Sequence, residues 1–329
     1  MTALSFIELK DYIVKRVAPF IVLMSLLGLV ACGGGGSDAP SPTPTIPPPS
    51  GGGGGSSDPD PVNVNSENPT LKLFDNNPVS DVNNMTLVWS EEFDDTRLDP
   101  ETWFFEKGDG SQYGLTGWGN NELQWYLEDN ARIDNGILVI DVKEEASNGR
   151  NYTSARLHTR DRIAVRYGRI EARMKLPAGQ GMWPAFWMLP QEDAYGTWAA
   201  SGEIDIMEAV NLGVNNEYKV LGTIHYGGEW PNNVFSGNEL EVTMDNTVDF
   251  HEYAFEWDVD EMRWYVDGQL YSTKTNWSTP NAPFPAPFDE TFYILLNVAV
   301  GGNLPGSPDS TTVFPQTMEV DYVRVYSGN

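Results

Sequence analysis

The sequence predicts an all-β domain, a sandwich of two curved antiparallel sheets with an open concave cleft. Three observations carry that expectation. Along Arg169 to Leu176 charged and apolar residues alternate without a break, which puts one set on each face of a strand. Asp267-Gly268, lying between Trp264-Tyr265-Val266 and Leu270-Tyr271, is a hairpin turn signal. No segment shows a long helical period, whereas clusters of Gly, Pro, Asn and Asp punctuate many short runs, as sandwiches and barrels require. The same alternation recurs in Tyr253 to Trp257 and in Phe292 to Val298. Polar alternates on a concave sheet would line a trough, and a trough suits a long polymer better than a small metabolite.

Taken from the N-terminus, the 329-residue chain opens with Lys10, Lys15 and Arg16 ahead of an apolar run from Val17 to Ala31. That run is short for a membrane span and suits the core of a signal peptide. It ends in Leu29-Val30-Ala31-Cys32, which resembles the bacterial lipobox. The resemblance implies cleavage before Cys32 and acylation of its thiol. With Gly33 rather than Asp following, it implies a lipid anchor at the outer membrane or cell surface. An uncleaved anchor helix would also tether the protein. Residues 33–82 hold two glycine runs, Gly33 to Gly36 and Gly51 to Gly55, among Pro, Asp and Asn. They have too few apolar side chains to offset the entropy of ordering, so a disordered tether is expected. Its mean reach is on the order of 40 Å. Residues 83–329 remain for one globular domain.

The formal net charge of -27 repels phosphates, which excludes nucleic acid and anionic lipid as partners of the folded part. Cys32 has no cysteine to pair with, and with only His158, His225 and His251 there is no Cys/His set for a structural zinc. The domain is expected to be a monomer that needs no cofactor for catalysis.

The chemistry concentrates in Gly202-Glu203-Ile204-Asp205-Ile206-Met207-Glu208. Ile204 and Ile206 alternate with Glu203 and Asp205, so the two acids share a face. Glu208, five positions after Glu203, would point the other way in a regular strand, because odd offsets change face. A one-residue bulge near Met207 would bring it back. Three carboxylates on one face raise each other's affinity for protons, and cleavage of a glycosidic bond by double displacement needs such a set: one ionised nucleophile and one protonated acid. Three carboxylates are also a potential Ca2+ site, though no adjacent backbone-rich loop is evident.

This segment resembles the active-site signature of glycoside hydrolase family 16, in the laminarinase-like form with an extra Met before the last Glu. The likeness continues in Trp118-Gly119-Asn120-Asn121-Glu122-Leu123-Gln124, Tyr167 to Arg173, Gly181-Met182-Trp183-Pro184-Ala185-Phe186-Trp187, Gly222-Thr223-Ile224-His225-Tyr226-Gly227-Gly228 and Leu296 to Asn303. It implies a β-jelly roll and a retaining, endo-acting hydrolase of β-1,3-glucan. In it Glu203 would be the nucleophile, Glu208 the acid/base and Asp205 the helper between them. It also implies that Trp183, Trp187 and Trp198 line the sugar cleft, core packing being the other use of a tryptophan, and that Asn121, Arg156, His225 and Asn297 contact hydroxyls. A structural Ca2+ held by Glu92, the Gly136 carbonyl and Asp321 is implied as well. One departure stands out: Leu304-Pro305-Gly306 occupies the place of a Trp-Pro-Gly run, so one stacking surface is missing. Mixed-linkage β-1,3-1,4-glucan cleavage, and glucan binding without catalysis, are the competing readings. The presence of all three acids argues against the second.

Overall fold

The computed structural model describes residues 71–329. The signal segment with Cys32, and most of the expected tether, lie outside the described residues. The strands in chain order are β1 (Lys72–Asp75), β2 (Met85–Glu91), β3 (Phe104–Phe105), β4 (Gln124–Tyr126), β5 (Ala131–Asp134), β6 (Ile137–Ser147), β7 (Arg150–Ser154), β8 (Arg156–His158), β9 (Ile163–Arg166) and β10 (Gly168–Lys175). They continue as β11 (Met182–Pro190), β12 (Glu203–Ala209), β13 (Lys219–Gly227), β14 (Asn233–Glu241), β15 (His251–Trp257), β16 (Met262–Val266), β17 (Gln269–Lys274), β18 (Phe292–Val300) and β19 (Gln316–Gly328). Among the described residues the helical pieces are single 3-10 turns.

Two sheets form. The first runs β1-β9-β18-β11-β12-β13-β14, with β8 pairing to both β18 and β3. The second runs β17-β16-β15-β10-β19-β6-β7-β4, with β2 on β19 and β5 on β6. The side chains between them make one core. From β12 come Ile204, Ile206 and Met207, from β11 Phe186 and Met188, and from β18 Ile294 and Leu296; these meet Ile170, Phe255, Trp257, Trp264 and Val320 of the second sheet. Each such side chain, fully removed from water, contributes about 1.5–3 kcal/mol. Because β11, β12 and β18 give alternate residues to this core, the other alternates of the same strands face outward and line the site.

Two expectations are corrected. The sheets are mixed rather than purely antiparallel, since β1 lies parallel to β9 and β4 parallel to β7. The folded part also starts before residue 83: β1 falls inside the segment expected to be tether, with Lys72 to Asp75 paired to Ile163 to Arg166 and Asp75 bonded at 2.7 Å to the Arg166 guanidinium. A four-residue edge strand whose two apolar residues sit side by side between Lys72 and Asp75 carries little periodicity, and its pairing partner lies far along the chain.

Candidate active site

The site is built on the irregularity of β12. Its partner β13 is regular there: Glu203 stands opposite His225, Asp205 opposite Thr223 and Glu208 opposite Leu221. Positions 225, 223 and 221 are two apart and share a face. Directly opposed residues also share a face, so Glu203, Asp205 and Glu208 do too. Ile206 and Met207 together face the single residue Gly222, which is the bulge the odd offset demanded. The second sheet pins it. Trp264 donates its indole N–H to the Asp205 carbonyl at 2.9 Å, and Gly222 leaves the room the ring needs, since a Cβ there would lie 2.4 Å from Trp264 Cδ1.

The acids are held by donors that favour the anion. Trp198 Nε1 donates to Glu203 Oε2 at 2.6 Å, and Trp183 Nε1 donates to Glu208 Oε1 at 2.9 Å. Asp205, buried to 3 % exposure, has His225 Nε2 at 3.3 Å from its Oδ2, and the same nitrogen is 3.8 Å from Glu203 Oε1. Burial, and then the charge of Asp205, push the Glu203 carboxyl well above the usual carboxylate range; burial does the same to Asp205. Two such groups side by side hold one proton between them at neutral pH. An indole N–H can only donate, so the short bond from Trp198 keeps the charge on Glu203 and the proton on Asp205.

The other expected residues fall into two groups. On one side of the acids His225 lies against Trp198, with ring centroids 5.6 Å apart. On the other, Asn297 pairs across the strands with Arg156 and with Ala185, which itself pairs with Glu208, giving one row along the concave face. Trp187 faces this row and donates to Asn297 Oδ1 at 2.8 Å. The Arg156 guanidinium is clamped between the rings of Trp118 at 4.5 Å and Trp187 at 4.8 Å and ion-paired to Glu106. Burial works against its charge, but Glu106, Tyr126, Glu122 and Tyr293 together outweigh that and raise its pKa. Asn121 is exposed and donates to Asn303 Oδ1 at 2.8 Å, tying two rim loops together.

Sequence reasoning did not single out several residues that shape this surface. Asn297 donates to the Tyr126 hydroxyl at 3.2 Å, which donates to the buried Glu122 at 3.3 Å. Gln124 also donates to Glu122, at 2.6 Å. Burial raises the Glu122 pKa, Arg156 pulling it back. Glu122 and Gln124 stand in a quoted motif, but nothing local marks them as the support of Asn297, which is distant in sequence.

For metals, one ligand atom each from Glu203, Asp205 and His225 lies within 4.8 Å of the others, a spacing a cation could span. The expected Ca2+ set fits poorly. Strand register puts Glu92, Gly136 and Asp321 at one level of the second sheet. However, Arg324 takes both oxygens of Glu92 at 2.8 Å, and Arg173 takes Asp321 at 2.6 Å. Carboxylates neutralised by guanidinium groups offer little to a cation, so this set is not assigned to one.

A two-sheet sandwich whose concave face carries three acids among indoles is the build of a glycoside hydrolase. The family model for glycosyl hydrolases family 16 matches residues 119–324, and the chain belongs to that family. It is 42% identical over 262 residues to a glucan endo-1,3-beta-glucosidase A1 of Niallia circulans, covering 74% of this chain and 38% of that protein's length. It is 44% identical over 253 residues to a beta-glucanase of Rhodothermus marinus, covering 73% of this chain and 84% of that one. Among solved structures, the laminarinase catalytic domain of Thermotoga maritima MSB8 superposes with a TM-score of 0.67 at 42% identity, covering 75% of this chain and 99% of that one.

Proposed function

We propose that the protein is a retaining endo-glycosidase that cuts β-1,3-glucan of the laminarin type. The observation that carries this reading is the bulge at Ile206–Met207, which turns Glu208 onto the face of Glu203. In the first step Glu203 attacks the anomeric carbon while Glu208 gives a proton to the departing oxygen; in the second Glu208 takes a proton from water, which displaces Glu203. Asp205 holds the shared proton and so keeps Glu203 ionised yet ready to lose its charge to carbon. The indoles and the Arg156–Asn297 row meet the faces and hydroxyls of a neutral sugar chain.

Reducing-end release from laminarin, lichenan and agarose tests the substrate. Laminarin is expected to be cut fastest; lichenan cut faster would favour the mixed-linkage reading, and activity on agarose alone would defeat both. Support for a lipid anchor is the lipobox-like run ending in Cys32 and the tether after it. The same features support a site of action at the cell surface. Cys32→Ser is expected to move the protein from the membrane to the soluble fraction, and a variant that still pellets with membrane would refute the anchor.

A further inference from the structure

Trp230 is 71 % exposed, more than any other large apolar side chain among the described residues. An indole so exposed forfeits most of the stabilisation its burial would bring. Its backbone is nevertheless fixed. Trp230 N donates to the Trp198 carbonyl at 3.0 Å, Thr197 N donates to Glu229 Oε1 at 2.9 Å, and Asn232 N closes the turn on the Glu229 carbonyl at 2.7 Å. The turn is thereby latched to the segment that carries Trp198. The Trp230 ring lies 6.5 Å from the ring of Trp198, whose indole holds Glu203.

Strand register adds a second ring. Glu203 pairs with His225 and His225 pairs with Phe235, so the three form a row across β12, β13 and β14 on the concave face. Phe235 is 45 % exposed, and its ring is 5.9 Å from that of His225. Phe235, His225, Trp198 and Trp230 therefore make a continuous strip that begins at Glu203 and runs away from Arg156.

We propose that Trp230 and Phe235 are a sugar-binding extension of the cleft, taking further units of a neutral, curved glucan chain beyond the point of cleavage. The inference rests on the glycosidase reading and adds to it. Neighbouring rings are inclined by 36° for Trp230 on Trp198, 40° for Trp198 on His225 and 37° for His225 on Phe235. A flat ribbon meets only one such face at a time, whereas a chain that turns between units meets successive ones. No Lys or Arg belongs to the strip, which suits an uncharged polymer and not a sulfated one.

The test compares Trp230→Ala, Phe235→Ala and Trp230→Phe with the full-length protein on laminarin, on the shortest β-1,3-oligosaccharide it cuts and on lichenan. Each alanine variant is expected to raise KM for laminarin roughly two- to tenfold, the worth of one stacked ring, with kcat nearly constant. The shortest substrate should lose less, and Trp230→Phe should restore most of the loss. Binding of laminarin by Glu203→Gln protein, with and without Trp230→Ala, reads the same effect without turnover. That arm separates a failure of the platform from a failure of the glycosidase reading. Equal losses on long and short substrates, or an unchanged KM, would overturn the proposal. So would a dimer of the protein that Trp230→Ala dissociates while leaving laminarin affinity intact.

Discussion

Buried carboxylates occur on both sheets, and the two sheets treat them differently. On the outer face of the second, Arg169 binds Glu171 at 2.7 Å, Glu252 at 2.8 Å and Glu256 at 3.2 Å, and Arg263 adds a bond to Glu256 at 2.9 Å. The Tyr265 hydroxyl donates at 2.7 Å to the Glu256 oxygen that Arg263 also binds, and the Tyr326 hydroxyl donates at 3.1 Å to the Glu171 oxygen that Arg169 leaves open. On the concave face of the first sheet, Asp205 is as deeply set and Glu203 is partly buried, yet the partners found for them are an indole and a histidine. The difference shows where the molecule accepts electrostatic cost. A matched cluster holds structure, whereas an unmatched pair is destabilising and keeps its reactivity, as a nucleophile with a proton-sharing neighbour must.

The largest effect expected of breaking this contrast is catalytic. Glu203→Gln removes the carboxylate proposed as nucleophile and should lower turnover by at least about 10³-fold while oligosaccharide affinity, read by calorimetry, stays within a few-fold. Normal turnover in that variant would refute the assignment. Next in size is the matched cluster. Arg169→Met strands carboxylates in a buried place and should cost roughly 3–5 kcal/mol of unfolding free energy in urea. Under the same conditions at neutral pH, Glu203→Gln should be neutral or stabilising by about 1 kcal/mol. If both variants lose the same stability, the contrast between the sheets is wrong.

A smaller effect sharpens the comparison through pH. Burial and Asp205 raise the Glu203 pKa from 4.5 to about 8. The proton this pair shares is held in the folded protein at pH values where the unfolded chain has lost it, so the stabilisation it brings is complete below about pH 4.5 and is lost as pH climbs through about 8. The stability of the wild type should thus fall relative to Glu203→Gln across that window, and parallel curves would contradict it. Asp205→Asn removes the carboxyl that shares a proton with Glu203 and should shift the acid limb of kcat/KM by a unit or less. The mildest perturbation comes from behind the strand: Gly222→Ala crowds Trp264 and should lower stability by roughly 1–3 kcal/mol, with kcat falling as the bulge shifts.

Much of the site was legible because a strand has a rigid period. An acid five residues from another, on a strand whose apolar alternates are Ile204 and Ile206, cannot share its face without an extra residue, and the extra residue is there. The supports of that residue were not legible. Trp264 comes from the opposite sheet, and its bond to the Asp205 carbonyl spans 59 positions of sequence. The Glu122–Tyr126–Asn297 chain likewise depends on a loop folding over β18. The Glu92, Gly136 and Asp321 set reached one level of the sheet, but the arginines that occupy its carboxylates are contributed by β10 and β19, which no local pattern announces.

Double displacement requires two glutamates to reach one glycosidic bond from the same strand face, close enough for the first to bond to carbon while the second handles the proton. Proton NMR of laminarin hydrolysis in its first minutes measures this most directly. A new reducing end appearing first as the β anomer, and only later equilibrating, is the result predicted. The α anomer appearing first would mean a single displacement by water, a wider gap between the acids and a different role for Glu203.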